Sequence, residues 1–130
     1  MKEQKEIELV NEWYEAFNIP KSDTLTLLPL KRSMLRFDLM REENNEYRDA
    51  IMEGNIVKVA DALGDQLYVL LGTFLEHGLQ HKMEEVFHEI HRSNMSKLED
   101  GKPILREDGK ILKGKDYFKP HIESILFKKD

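Results

Sequence analysis

Cysteine is absent from the 130 residues, which excludes a disulfide framework, thiolate metal ligation and a cysteine nucleophile, and fits a reducing, cytoplasmic setting. The chain also lacks a glycine-rich phosphate loop, a Gly-x-Ser-x-Gly elbow and a His-Glu-x-x-His pair, the signatures of three common hydrolytic designs. It shows no internal repeat and no low-complexity run. The amino-terminal Met-Lys-Glu-Gln-Lys-Glu lacks the apolar core of a signal peptide. The most apolar window, Ile56 to Leu75, approaches the length of a membrane span. Lys58, Asp61, Asp65 and Gln66 interrupt it, so a buried soluble helix is expected and a membrane association is not. A formal charge of −5 and a pI near 5.6 argue against a partner of nucleic-acid polymer type, although Lys and Arg are dense in the last third. Oxygen and imidazole ligands remain for any metal.

A hydrophobic content of 40% in a chain of this length supplies one core, and a single domain spanning residues 1–130 is expected. Helical spacing of Ile7, Val10, Trp13 or Tyr14, and Phe17 predicts a first helix from Glu3 to Phe17, ended by Asn18-Ile-Pro20. Lys21 to Pro29 carries Ser, Asp, Thr and Pro and predicts an extended connection. A second helix follows over Leu30 to Met52. Gly54 terminates it, Asn55 caps a third helix running from Ile56 to about His77, and Gly78 stops that one. The short connection makes the second and third helices antiparallel neighbours. A fourth helix is expected over Gln80 to Leu98, with Met83, Val86, Phe87, Ile90 and Asn94 inward. Beyond it, two apolar pairs around Asp108-Gly109 predict a β-hairpin within Lys102 to Lys113. The tail from Lys115 holds Tyr117, Phe118, Ile122, Ile125, Leu126 and Phe127, too apolar to float freely. The expected fold is all-α, an antiparallel bundle of four main helices with a small C-terminal β-hairpin and tail.

Five carboxylates occupy two places where this helical pattern calls for apolar residues. Leu35, Leu39, Glu42/Glu43, Glu46 and Ala50 form one stripe, and Val57, Asp61, Asp65, Tyr68 and Gly72 form another. Packed face to face, such carboxylates repel by roughly 3 kcal/mol per pair at about 5 Å with an effective dielectric near 20. Burying two of them unpaired on the apolar third helix costs several kcal/mol each. A cation between the helices removes the conflict. Oxygen-only ligands point to a hard ion, magnesium first and manganese as an alternative, and such a site suits hydrolysis of a phosphate ester or anhydride.

Glu42-Glu-x-x-Glu46 followed by Asp61-x-x-x-Asp65 resembles the all-α nucleoside triphosphate pyrophosphohydrolases, the MazG-like and phosphoribosyl-ATP pyrophosphohydrolase-like group. The similarity extends to Val10-Asn-Glu-Trp-Tyr-Glu-Ala-Phe17, Asp61 to Gly72, His91-Arg-Ser-Asn-Met-Ser-Lys97 and Asp108-Gly-Lys-Ile-Leu-Lys-Gly114, most of the chain. The resemblance implies magnesium-dependent cleavage between the α and β phosphates of a nucleotide, giving a monophosphate and pyrophosphate, in a helical homo-oligomer such as a homodimer. It implies Glu43, Glu46 and Asp65 as metal ligands with Asp61 a fourth, and Glu42 as the residue for water activation or a second metal. The usual pattern on the second motif is Glu-x-x-Asp, whereas Ala62 stands three before Asp65 here and the acid lies at Asp61. Asn94, Lys97, Lys110 and Lys113 resemble the group's substrate-binding segment; read alone, these lysines are equally solvated surface.

Other features carry less. Arg36 precedes Glu42 and is placed to reach phosphate or pair with an acid. Trp13, Phe17 and Tyr68 offer faces for a base, but aromatics at this spacing ordinarily serve a core. His77 and His81 straddle Gly78 and read as polar surface. Glu85-Val-Phe-His88 has a di-iron spacing, yet such bundles use two Glu-x-x-His units and one is present. A second rival is a non-catalytic helical module whose acids pair with Lys or Arg across an interface.

Overall fold

The computed structural model describes residues 5–127, and the chain divides into two compact units, one up to Gln80 and one from His81 on. In the first unit α1 spans Glu6–Ala16, α2 Leu30–Glu53 and α3 Ile56–Glu76, with α1 and α2 both packed on α3. The expected start of the first helix at Glu3 lies outside the described residues. Val10 and Tyr14 are the buried positions of α1, while Trp13 and Phe17 are 40% and 64% exposed. The choice between Trp13 and Tyr14 thus falls to Tyr14, one turn after Val10 on the same face.

The C-terminal end of each helix in this unit, and the start of α3, is closed by its own sequence. Asn18, at a φ of 54°, lets its amide donate to the Glu15 carbonyl and the Ile19 amide to the Tyr14 carbonyl, the two bonds of a Schellman ending. Gly54 does the same for α2, at a φ of 66°, and the Asn55 side chain then accepts from the Val57 and Lys58 amides at 3.0 and 3.2 Å to start α3. Gly78 closes α3, and a Cβ there would lie 1.9 Å from the Thr24 carbonyl oxygen. The expected connection over residues 21–29 is therefore pressed onto the end of α3: the Ser22 amide donates to the Leu75 carbonyl and the Thr26 amide to that of His77. His77 is half-buried, its Nδ1 2.8 Å from the Thr26 carbonyl, and not the surface residue expected.

The core of this unit is Val10, Tyr14, Ala50, Ala62, Leu71 and Leu75. The stripe expected on α3 holds at Gly72, which is buried, but Val57 and Tyr68 are 75% and 41% exposed. Val57 sits in the first turn, where α3 has just left the connection from α2. Although α3 is apolar nearly all round, Leu63, Leu67 and Leu70 stay exposed within the single chain.

In the second unit α4 spans Met83–Met95, a shorter helix than the Gln80–Leu98 expected, because turns occupy both flanks. Its inward face also differs. Glu89 and Ser93 are buried, whereas Phe87, Ile90 and Asn94 are exposed. The covering partner is polar backbone from the tail: Ser93 Oγ donates to the Phe118 carbonyl at 2.8 Å, and the His121 amide donates to Glu89 Oε2 at 2.6 Å. Arg92 lies 4.3 Å above the Phe118 ring and ion-pairs with Glu89 at 2.8 Å. The hairpin is β1 Ile104–Leu105 and β2 Ile111–Leu112, antiparallel, with Ile104 opposite Leu112 and Leu105 opposite Ile111. Asp108-Gly109 makes its turn, Gly109 at a φ of 89° and the Asp108 carboxylate accepting the Lys110 amide. A short helix, α5 (Ile122–Leu126), was not expected in the tail and packs on α4.

The molecule is thus mostly helical, with helix packing consistent with a bundle, a two-strand hairpin and a C-terminal tail. No helix among the described residues is long and apolar enough to cross a membrane.

Candidate active site

Glu43 and Glu46 lie one turn apart on α2 and Asp65 lies on the α3 face packed against them. One carboxylate oxygen from each comes within 4.8 Å of the other two. Among the described residues this is the one group of three acids or histidines so placed, and Glu85, His88 and His91 form no second one. The sequence explains the convergence: positions 43 and 46 share a helical face, and the tight Gly54-Asn55 connection folds α3 back along it.

The cost of gathering these charges is visible in their protonation. Burial, then hydrogen bonding with Glu46, then the charges of Glu46, Asp65 and Glu42 push the Glu43 carboxyl up to about 7. Burial, then the charges of Asp61 and Glu46, push Asp65 up as well. Glu43 Oε2 is buried without a hydrogen-bond partner among the described residues. A buried carboxylate oxygen with no donor beside two further carboxylates is what a divalent cation satisfies, and the all-oxygen donor set suits a hard ion. The residues present therefore fit magnesium or manganese.

Glu42 occupies the next, exposed position of α2 and acts on Glu43 through its charge. Asp61 is not among the three convergent acids. It lines an adjoining cleft of about 260 Å³ together with Glu46, Asp49, Glu53 and Lys58. Ala62, three positions before Asp65, is 3% exposed and lines the same cleft as Asp61. Asn94, Lys97, Lys110 and Lys113 belong to the second unit. Lys97 gives its carbonyl to the Gly114 amide, Lys110 lies beside the hairpin turn, and Lys113 rests 4.8 Å from the centre of the Tyr117 ring.

Sequence patterning did not reveal a buried ionic cluster further along the same two helices. Glu76, 2% exposed, takes Arg32 Nε at 2.6 Å on one oxygen and Arg36 Nη1 at 3.1 Å on the other, and Tyr14 Oη also donates to it. Burial would push the Glu76 carboxyl up, but the hydrogen bonds from Arg32 and Tyr14, with the charges of Arg36 and Arg32, hold it below the usual range. Burial and the bond to Glu76 push the Tyr14 hydroxyl up. Arg36 was placed as able to pair with an acid, and that acid is Glu76. Glu76 itself gave no signal, since a glutamate in the last turn before His77-Gly78 reads as solvated.

Two comparisons place the chain among known proteins. Over 38 residues, 29% of this chain, it is 50% identical to an uncharacterized protein of Acanthamoeba polyphaga mimivirus, of whose length the match spans 15%. Residues 10–94, which carry the later part of α1, all of α2 and α3, the three convergent acids and nearly all of α4, match the family described as phosphoribosyl-ATP pyrophosphohydrolase. The chain belongs to that pyrophosphohydrolase family, within the MazG-like superfamily of nucleoside triphosphate pyrophosphohydrolases.

Proposed function

We propose that this chain is a magnesium-dependent nucleotide pyrophosphohydrolase that cleaves the α–β phosphoanhydride of a nucleoside or deoxynucleoside triphosphate, releasing the monophosphate and pyrophosphate. The observation that carries this reading is the convergence of Glu43, Glu46 and Asp65 around a buried, partnerless carboxylate oxygen in a chain of this family. Glu43, Glu46 and Asp65 hold the ion, and Asp61 supports it from the adjoining cleft. When bound, magnesium, or manganese in its place, polarises a phosphoryl oxygen and lowers the pKa of a coordinated water. Glu42, exposed beside the cluster, accepts the proton of the water that attacks the α phosphorus. Asn94, Lys97, Lys110 and Lys113 are assigned to the polyphosphate by their chemistry, an amide and three ammonium groups.

We further assign the exposed apolar side of the first unit to a second copy of the chain. Phe37 on α2 and Leu63, Leu67 and Leu70 on α3 are each more than 40% exposed, on helices whose other side is already packed. A homodimer covers them.

The test is release of pyrophosphate from a panel of nucleoside triphosphates and phosphoribosyl-ATP, and of phosphate from the matching diphosphates, with magnesium and with a chelator. Chelator-sensitive pyrophosphate release is expected from at least one triphosphate, abolished by Glu46→Ala and by Asp65→Ala. Turnover that persists in excess chelator, or in either folded variant, overturns the assignment.

A further inference from the structure

Arg36 joins α2 to α3 at three successive turns. Its Nη2 donates to the Val69 carbonyl at 2.8 Å, its Nε to Thr73 Oγ1 at 3.2 Å, and its Nη1 pairs with Glu76 Oε2 at 3.1 Å. Arg32, one turn earlier on α2, takes the other oxygen of Glu76, and Tyr14 brings α1 to the same carboxylate. Gly72 makes the approach possible, since a Cβ there would lie 2.7 Å from Tyr14 Oη and 3.0 Å from Arg36 Nη2. The cluster stands close to the acids along both helices: Arg36 is two turns before Glu43 on α2, and Val69 is one turn after Asp65 on α3.

We propose that Arg36 is a positioning residue for the metal site, fixing the register of α2 against α3 so that Glu43 and Glu46 meet Asp65 at coordinating distance. The inference rests on the assignment of those three acids as metal ligands. Stability alone is a poor reason for such a cluster, because apolar packing of similar volume commonly replaces a buried ion pair without loss. Register is different. On the far side of the acids from Arg36 the buried positions of α2 and α3 are Ala50 and Ala62, small side chains that oppose little to rotation or sliding, while the large buried residues of α3, Leu71 and Leu75, lie at the level of Arg36's own contacts. Carboxylate oxygens project about 5 Å from a helix axis, so a rotation of about 20° carries them roughly 2 Å. Metal–oxygen distances tolerate about 0.2 Å. A guanidinium spread over a backbone carbonyl, a hydroxyl and a carboxylate resists that rotation, and a lysine ammonium, a point charge on a flexible stem, cannot bond all three in the same geometry.

The experiment is a Mn2+ titration of the purified full chain followed by electron paramagnetic resonance, comparing the unsubstituted protein, Arg36→Lys and Val10→Ala. Val10 is buried on α1 and belongs to neither α2 nor α3, so its truncation is expected to lower stability without altering the α2–α3 register. With helical circular dichroism retained, Arg36→Lys is expected to weaken the Mn2+ dissociation constant about tenfold, the usual cost of losing support behind a ligand. Val10→Ala is expected to leave it within about twofold even where its melting temperature falls as far. Thr73→Val removes one acceptor of Arg36 and keeps the volume; it carries the same comparison if Arg36→Lys does not fold, with a weakening of about threefold expected. Unchanged Mn2+ affinity in the Arg36 or Thr73 variant, or equal weakening in Val10→Ala, overturns the positioning role alone. Failure of the unsubstituted chain to bind Mn2+ overturns the ligand assignment and this inference with it.

Discussion

Glu43 bears the conflict between folding and binding at a single carboxylate. Its folded-state value of about 7 lies above the ordinary 4.5, so in the metal-free chain its contribution to stability is complete below pH 4.5 and is lost as the pH rises through about 7. Glu76 runs the other way: held below its ordinary value, it stabilises above that value and loses this on acidification. Melting curves in EDTA are therefore expected to fall between about pH 4.5 and 7 for the unsubstituted chain. Glu43→Gln, neutral throughout, is expected to flatten much of that fall, to melt higher near pH 8 in EDTA, and to lose the stabilisation that added magnesium gives. A Glu43→Gln profile that still declines as steeply would show that Glu43 is not the group responsible. At this scale the sequence was legible where one helix face sufficed: spacing placed Glu42, Glu43, Glu46, Asp61 and Asp65 on two stripes, the resemblance to the family singled out Glu43, Glu46 and Asp65 with Asp61 a fourth, and the structure brings the first three together. The Arg32–Arg36–Glu76–Tyr14 cluster joins three helices through partners remote in sequence, so no local spacing announces it.

Elements were legible where they end in residues with a single backbone job. Gly54, Asn55, Gly78 and Asp108-Gly109 each stand where positive φ, a capping oxygen or a tight turn is needed, and the expected boundaries of α2, α3 and the hairpin agree with the structure to within a residue or two. Asn55→Ala removes the oxygen that accepts both the Val57 and Lys58 amides and is expected to cost about 1 kcal/mol in urea unfolding. A change well below that would mean water replaces the cap at no loss. The inner face of α4 was illegible for a physical reason: periodicity assumes that apolar groups face inward, whereas here Glu89 and Ser93 are buried because they satisfy the tail's backbone. The five-residue α5 is too short to display a period at all.

At the scale of the whole molecule, apolar residues outnumber the places one chain has to bury them. A sequence reveals that surplus but not which side of α2 or α3 keeps it, because that depends on where α1 settles. Light scattering after size exclusion is expected to give about twice the 15.4 kDa of one chain, and Phe37→Glu, which puts a charge on the exposed side of α2, to return the mass to a single copy. A Phe37→Glu protein that keeps the doubled mass would place the contact elsewhere. The segment between α1 and α2 holds a different consequence. Its Ser, Asp, Thr and Pro mark it as an easy target for trypsin at Lys21, yet Lys21 is anchored to Glu15 at 2.9 Å and the next amide is fastened to the Leu75 carbonyl. A protease must draw its substrate out as a free strand, and this strand comes away only when its bonds to the end of α3 break. Cleavage at Lys21 should therefore keep pace with release of this strand from α3, making a digest at that one bond a gauge of how often the docking opens.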